Sequence, residues 1–153
     1  MSRFKLQNHY TALQPLFALG KQLDAGTLEP ALRDLVLMRV SQINGCAYCL
    51  DMHSKDARAD GESEQRLYVL PAWREAPFYS ERERAALAWA EALTRLDAQD
   101  QSAPDALYEQ ARAQFDAKEL VDLTLLVTLI NSWNRLNIAG RPEVGGYKPG
   151  MFK

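Results

Sequence analysis

The stretch "LRDLVLMRVSQINGCAYCLDMHSKDAR", residues 32–58, reads as two helices broken at a single point. Leu32, Leu35, Val36, Arg39, Val40 and Ile43 recur at helical spacing around the first. Pro30, just upstream, suits a first helical turn, where its missing N–H would have had no partner. Asn44-Gly45 stops this helix, and the next starts at or near Cys46 and runs to Gly61, a left-handed stop after "DARAD". The break gathers both cysteines of the chain, Cys46 and Cys49, and one of its two histidines, His53.

Helical spacing continues outward in both directions, and no segment alternates as a half-buried strand would. Leu13, Leu16, Phe17 and Leu23 predict a first helix, interrupted near Pro15 and ended by Gly26. A short helix follows from Ser63 to about Leu70, where Pro71 ends it. Three later starts carry the cap-x-x-acid pattern, in which cap and acid satisfy each other's free backbone donors: "SERE" at 80, "SAPD" at 102 and "DAKE" at 116. They predict helices over 81–97, 103–114 and 117–139. The last, with "LVDLTLLVTLINSW", is apolar on nearly all sides and suits a central or interface-buried position. Gly140 and Pro142 end it, and the tail "RPEVGGYKPGMFK" is read as extended over the body or a neighbour. The expected fold is all-α, one helical domain over residues 1–153, with the Cys-x-x-Cys at the N-terminus of a helix.

With 153 residues, 47% apolar and 25% charged, the chain can bury a core without a disulfide or metal staple. A net charge of −2 builds no strong field, which argues against nucleic acid or an anionic membrane as partner. No apolar run follows the basic residues of "MSRFKLQNHY", and the apolar segment Leu120–Ile130 is far shorter than the roughly 20 residues of a membrane span. A cytoplasmic location is expected, and in a reducing compartment a close cysteine pair reads first as metal-binding or catalytic.

On a helix, Cys46, Cys49 and His53 fall within roughly 60° of one another. Cys46 would sit where free N–H groups and the macrodipole favour an anion, and His53 lies one turn beyond Cys49. An ordinary thiol, with a pKa of about 8.5, is only a few per cent thiolate at neutral pH; a pKa of about 7 would make it half thiolate. The imidazole can accept that proton and return it to a leaving oxygen, and a second cysteine can resolve an oxidised sulfur. Two other readings compete: a buried packing pair, and a zinc site. A closed zinc site wants four ligands, and the other histidine, His9, lies in the N-terminal segment.

Residues 32–58 closely resemble the core segment of AhpD-like alkylhydroperoxidases, within the carboxymuconolactone decarboxylase family. The likeness continues through "GESEQRLYVLPAWREAPFYSERERAALAWAEALT" into "INSWNRLNIAGRP", about residues 28–142 in all. It implies an all-helical fold, assembly into homotrimers or homohexamers, and cysteine-based peroxide reduction without a bound cofactor or metal. By matching position, Cys49 attacks the peroxide, Cys46 resolves the sulfenic acid and His53 handles the proton. Where the family has a glutamate twelve residues before the first cysteine, this chain has Asp34, a carboxylate on a stem one methylene shorter. Asn131, Trp133 and Asn134 are candidate pocket residues. Tyr48 falls on the far side of the helix from His53 and is read as packing or subunit contact, and Trp73 and Trp89 as core or interface anchors.

The expected substrate is an organic hydroperoxide or hydrogen peroxide. The resemblance implies a lipoyl-bearing protein as reductant and a peroxiredoxin as electron acceptor. Thiol–disulfide exchange and a non-enzymatic redox sensor are the alternatives; lactone decarboxylation, which names the wider family, leaves the cysteine pair unexplained.

Overall fold

The computed structural model describes residues 2–96 and 104–152, and these are helical with no strand. After a 3-10 turn, Leu6–His9, come α1 (Tyr10–Asp24), α2 (Pro30–Asn44), α3 (Ala47–Ala59) and α4 (Glu64–Val69). A 3-10 turn, Leu70–Ala72, leads on to α5 (Glu81–Thr94), α6 (Asp105–Arg112) and α7 (Ala117–Gly140).

Local chemistry accounts for most boundaries. Pro30 occupies the first turn of α2. Ser80 and Glu83 form a full capping box on α5, as do Asp116 and Glu119 on α7. At the expected α3 stop, Gly61 adopts φ 100°, and the Glu62 N–H closes onto the Ala57 carbonyl at 2.8 Å. Two expectations differ. α1 runs unbroken through Pro15, carried by packing of Leu13 and Leu23, and α5 ends at Thr94, short of residue 97. The expected cap Ser102 lies outside the described residues, and α6 starts at Asp105 after Pro104.

Helix α2 is buried on both sides. Leu32, Val36 and Val40 enter one apolar cluster with Leu23, Trp89, Leu123, Val127 and Ile130, while Leu35 and Met38 enter another with Leu67, Leu70, Trp73 and Leu87. Ala85, Ala86, Ala88 and Ala90 are buried along α5, leaving that helix slim enough to serve both clusters.

Double burial forces α2's polar residues to find partners inside the protein. Arg39 Nε donates to Glu91 on α5 at 2.6 Å, and both side chains are buried. Trp73 Nε1 adds a hydrogen bond to the same carboxylate at 3.0 Å, and Arg74, stacked 4.2 Å from the centre of the Trp73 ring, pairs with its other oxygen at 2.7 Å. Trp73 is thus an anchor with a polar handle. Trp89 is a second, its Nε1 donating to Thr124 at 3.0 Å.

Helix α7, expected to need cover from many sides, receives most of it within the chain, from α1, α2 and α5. Its outer strip holds Val121, Thr128, Arg135 and Ile138. Among the described residues no helix is long and apolar enough to cross a membrane.

Burial pushes the Glu91 carboxyl upward, but the hydrogen bonds from Trp73, Arg74 and Arg39 outweigh it and hold the group below the ordinary glutamate value. The resulting stabilisation is present above the unfolded value of about 4.3 and is lost as pH falls through the lower folded value. Glu91→Ala, which strands a buried Arg39, is expected to lower stability by about 3–5 kcal/mol in urea unfolding. Glu91→Gln should flatten the decline of the urea midpoint below about pH 5.

Candidate active site

The turn between α2 and α3 builds the site. Gly45 takes φ 67°, a left-handed conformation that costs an L side chain roughly 1–2 kcal/mol. The Cys46 N–H returns to the Ser41 carbonyl at 3.1 Å. Cys46 thereby becomes the N-cap of α3, and its sulfur accepts from the Cys49 N–H at 3.3 Å. Cys46 and Cys49 are joined as a disulfide with Cα atoms 5.3 Å apart. Both residues are fully buried.

A cavity of about 1000 Å³ opens beside the disulfide, between α1, α2, α3, α7 and the two chain ends. Cys49, His53 and Asp34 all line it, Asp34 from α2 and the others from α3. Cys46 does not. The walls are mainly apolar, with Leu13, Phe17, Leu129 and Trp133 among them, and the Phe17 and Trp133 rings are 5.0 Å apart. Among the described residues no group of three or more His, Cys, Asp or Glu side chains is arranged to hold a metal ion.

The other predicted pocket residues divide by helical phase. Trp133 is on the cavity wall; Asn131 and Asn134 are not. The Asn44 amide donates to Asn131 at 2.9 Å and to Asn134 at 2.8 Å, and Asn134 donates to Ser41 at 3.1 Å. These asparagines tie α7 to the end of α2, behind the Gly45 turn. Asn134 is buried and Asn44 and Asn131 half-buried, and their amide donors all find partners, as the cost of an unmet donor requires.

Two features escaped the sequence reading. Asn137, one turn beyond Asn134 and on the cavity wall, points its Nδ2 at Cys49 Sγ, 3.5 Å away. Its phase on α7 was the available signal. Tyr48 also lines the cavity, so the far side of α3 from His53 is not outside the site. Burial, then the nearby Asp51 carboxylate, raises the pKa of the Tyr48 phenol above its ordinary value.

The tail lies over α3, within the expectation of a segment extended over the body. Lys55 pairs with Asp51 and donates to the Gly145 and Tyr147 carbonyls at 3.0 and 3.1 Å. The Tyr147 hydroxyl lies 2.8 and 3.0 Å from the two oxygens of buried Asp56, which also accepts from the Gly150 N–H at 2.9 Å. Burial, followed by the hydrogen bond to Asp56, raises the Tyr147 pKa, so the phenol keeps its proton and stays a donor. Pro142, Tyr147 and Phe152 complete the cavity wall.

An all-helical fold that carries Cys-x-x-Cys at a helix N-terminus, with a histidine one turn further on above an apolar cavity, is the AhpD-like arrangement. The chain belongs to the carboxymuconolactone decarboxylase family, which it matches over residues 11–92. It is 46% identical to the uncharacterized protein YdfG of Bacillus subtilis over 79% of this chain and 81% of that one. It is 36% identical to the uncharacterized protein YnjA of Escherichia coli over 73% of this chain, spanning 60% of that relative's length. A crystal structure from Agrobacterium tumefaciens, of a protein of unknown function suggested to be the antioxidant defence protein AhpD, superposes with a TM-score of 0.89 at 36% identity. The match covers 96% of this chain and 100% of the other.

Tyr147→Phe removes the donor that ties the tail to Asp56, and a hydrogen bond to a charged group contributes about 1.5–3 kcal/mol. Limited proteolysis should cut residues 141–152 faster in this variant, with the helical circular dichroism unchanged.

Proposed function

We propose that the protein is a cysteine peroxidase of the alkylhydroperoxidase type, reducing organic hydroperoxides or hydrogen peroxide through a Cys46–Cys49 disulfide cycle. The observation that carries the reading is the shared cavity: Cys49, His53 and Asp34 line one apolar space, and Cys46 is bonded to Cys49 from outside it. Family membership and the suggested role of the Agrobacterium protein support it.

The Cys49 thiolate attacks one oxygen of the hydroperoxide: an S–O bond forms, the O–O bond breaks, and the departing alkoxide takes a proton from His53 to leave as an alcohol. Cys49 is then a sulfenic acid. The Cys46 thiolate attacks that sulfur, the S–S bond forms, and hydroxide leaves as water with a second proton. Asp34 is the carboxylate assigned to orient His53. A dithiol reductant, of the lipoyl kind, returns two electrons by exchange and becomes a disulfide itself. A homotrimer or homohexamer in the cytoplasm completes the proposal.

The apolar walls suit the reaction, because a water-poor site strengthens each charge and dipole acting on the departing oxygen. Their volume fits a bulky organic hydroperoxide better than hydrogen peroxide alone.

The test is a thiol count on the reduced, metal-free protein before and after one equivalent of cumene hydroperoxide. The natural chain should lose both thiols, Cys46→Ser its one, and Cys49→Ser none at a comparable rate. His53→Gln should retain both thiols but react about 10²-fold more slowly or worse. Thiols reacting no faster than a free cysteine in all of these proteins would defeat the peroxidase reading and favour exchange or packing.

A further inference from the structure

We infer that Asn137 is a catalytic residue, the hydrogen-bond donor that holds Cys49 as a thiolate on the cavity side of the redox pair; this deepens the peroxidase reading and rests on it. The two sulfurs are supported differently. Cys46 Sγ accepts from a backbone N–H of its own helix, at Cys49. Cys49 Sγ, from the third residue of α3, meets the Asn137 side chain on α7, at 3.5 Å. The two sulfurs thus accept from different sources, one from backbone and one from a side chain.

Burial makes the second donor matter. Cys49 is fully buried, and desolvation of a thiolate opposes ionisation. A neutral carboxamide offsets that cost with a fixed N–H and introduces no charge for an incoming peroxide to displace. Its placement is backed by rigid structure: Asn137 is nine-tenths buried near the end of α7, and the Arg141 N–H returns to its carbonyl at 2.8 Å. Asn131 and Asn134, earlier on the same helix, accept from Asn44 through Oδ1 and direct their Nδ2 donors to Thr94 and Ser41.

Reduction defines when the contact acts. A dithiol gives two electrons to the disulfide, the S–S bond breaks, and the dithiol is oxidised to its own disulfide. The two protons it releases are shared among solvent, His53 and the two new thiols. Of the two sulfurs set free, Cys49 is the one on the cavity wall, and Asn137 donates to it. Other charged or titratable groups facing this space are His53, Asp56 and Tyr48 on α3 and Asp34 and Arg33 on α2. Tyr10, Lys21 and Asp24 on α1, Lys5 near the N-terminus, and Glu143 and Tyr147 of the tail also face it. All are kept in the experiment, so a change on altering Asn137 belongs to Asn137.

The experiment measures iodoacetamide alkylation of Cys49 against pH in the Cys46→Ser protein, with and without Asn137→Ala or Asn137→Asp. Asp is nearly isosteric with Asn and replaces the donor by an anion. Both variants should shift the alkylation midpoint upward, with the neutral-pH rate down about tenfold for Ala and further for Asp. In urea all three proteins should share one midpoint, which ties the shift to the folded site. A folded Asp variant with a parent-like profile overturns the assignment, as does an Ala variant that alkylates as fast as its parent. Alkylation consumes no peroxide, so loss of this inference is distinguishable from loss of the peroxidase reading.

Discussion

Helix α2 has no side turned fully to water, and the rest of the molecule is arranged around that constraint. Its two apolar stripes join separate clusters, so α5, α7 and the α4 region pack on it from different directions. Polar side chains between the stripes have no solvent to fall back on, and the molecule answers with Arg39–Glu91 and with the Ser41–Asn134–Asn44 contacts. The second group secures the end of α2 where Gly45 turns the chain into α3. The position of the sulfurs therefore depends on the packing of a helix that contains neither of them.

The two cysteines, three residues apart, occupy different environments. Cys46 faces the turn and the free N–H groups of α3; Cys49 faces an apolar space that His53 and Asp34 also reach. One sulfur is positioned to meet a small molecule, while the other is held within bonding distance behind it. An apolar wall raises the cost of a charge and strengthens whatever dipoles offset it, so a few hydrogen bonds bear on the balance between thiol and thiolate.

Much of this was legible in the sequence, where the signals are local. The Pro30 start, the Gly45 stop, the capping boxes at Ser80 and Asp116 and the placing of the cysteine pair at the start of α3 depend on neighbours a few residues away. Pro15 misled because tertiary packing of Leu13 and Leu23 carries α1 past it. Asn137 and Tyr147 were missed because their partners, Cys49 and Asp56, are 88 and 91 residues distant. The three asparagines of α7 look alike as letters. Helical phase alone separates the two that brace the turn from the one that meets the sulfur.

Both chain ends contribute to the cavity wall, Ser2 and Phe4 at one and Phe152 at the other. The Arg3 N–H is pinned to the Gly140 carbonyl at 2.8 Å, and the Cβ missing from Gly140 is what lets the Phe4 ring approach there. A module joined to either end by a short flexible linker would stay beside the cavity at millimolar effective concentration. Electron delivery by a tethered dithiol would then become nearly unimolecular and insensitive to dilution, whereas an unattached donor must find the site by diffusion.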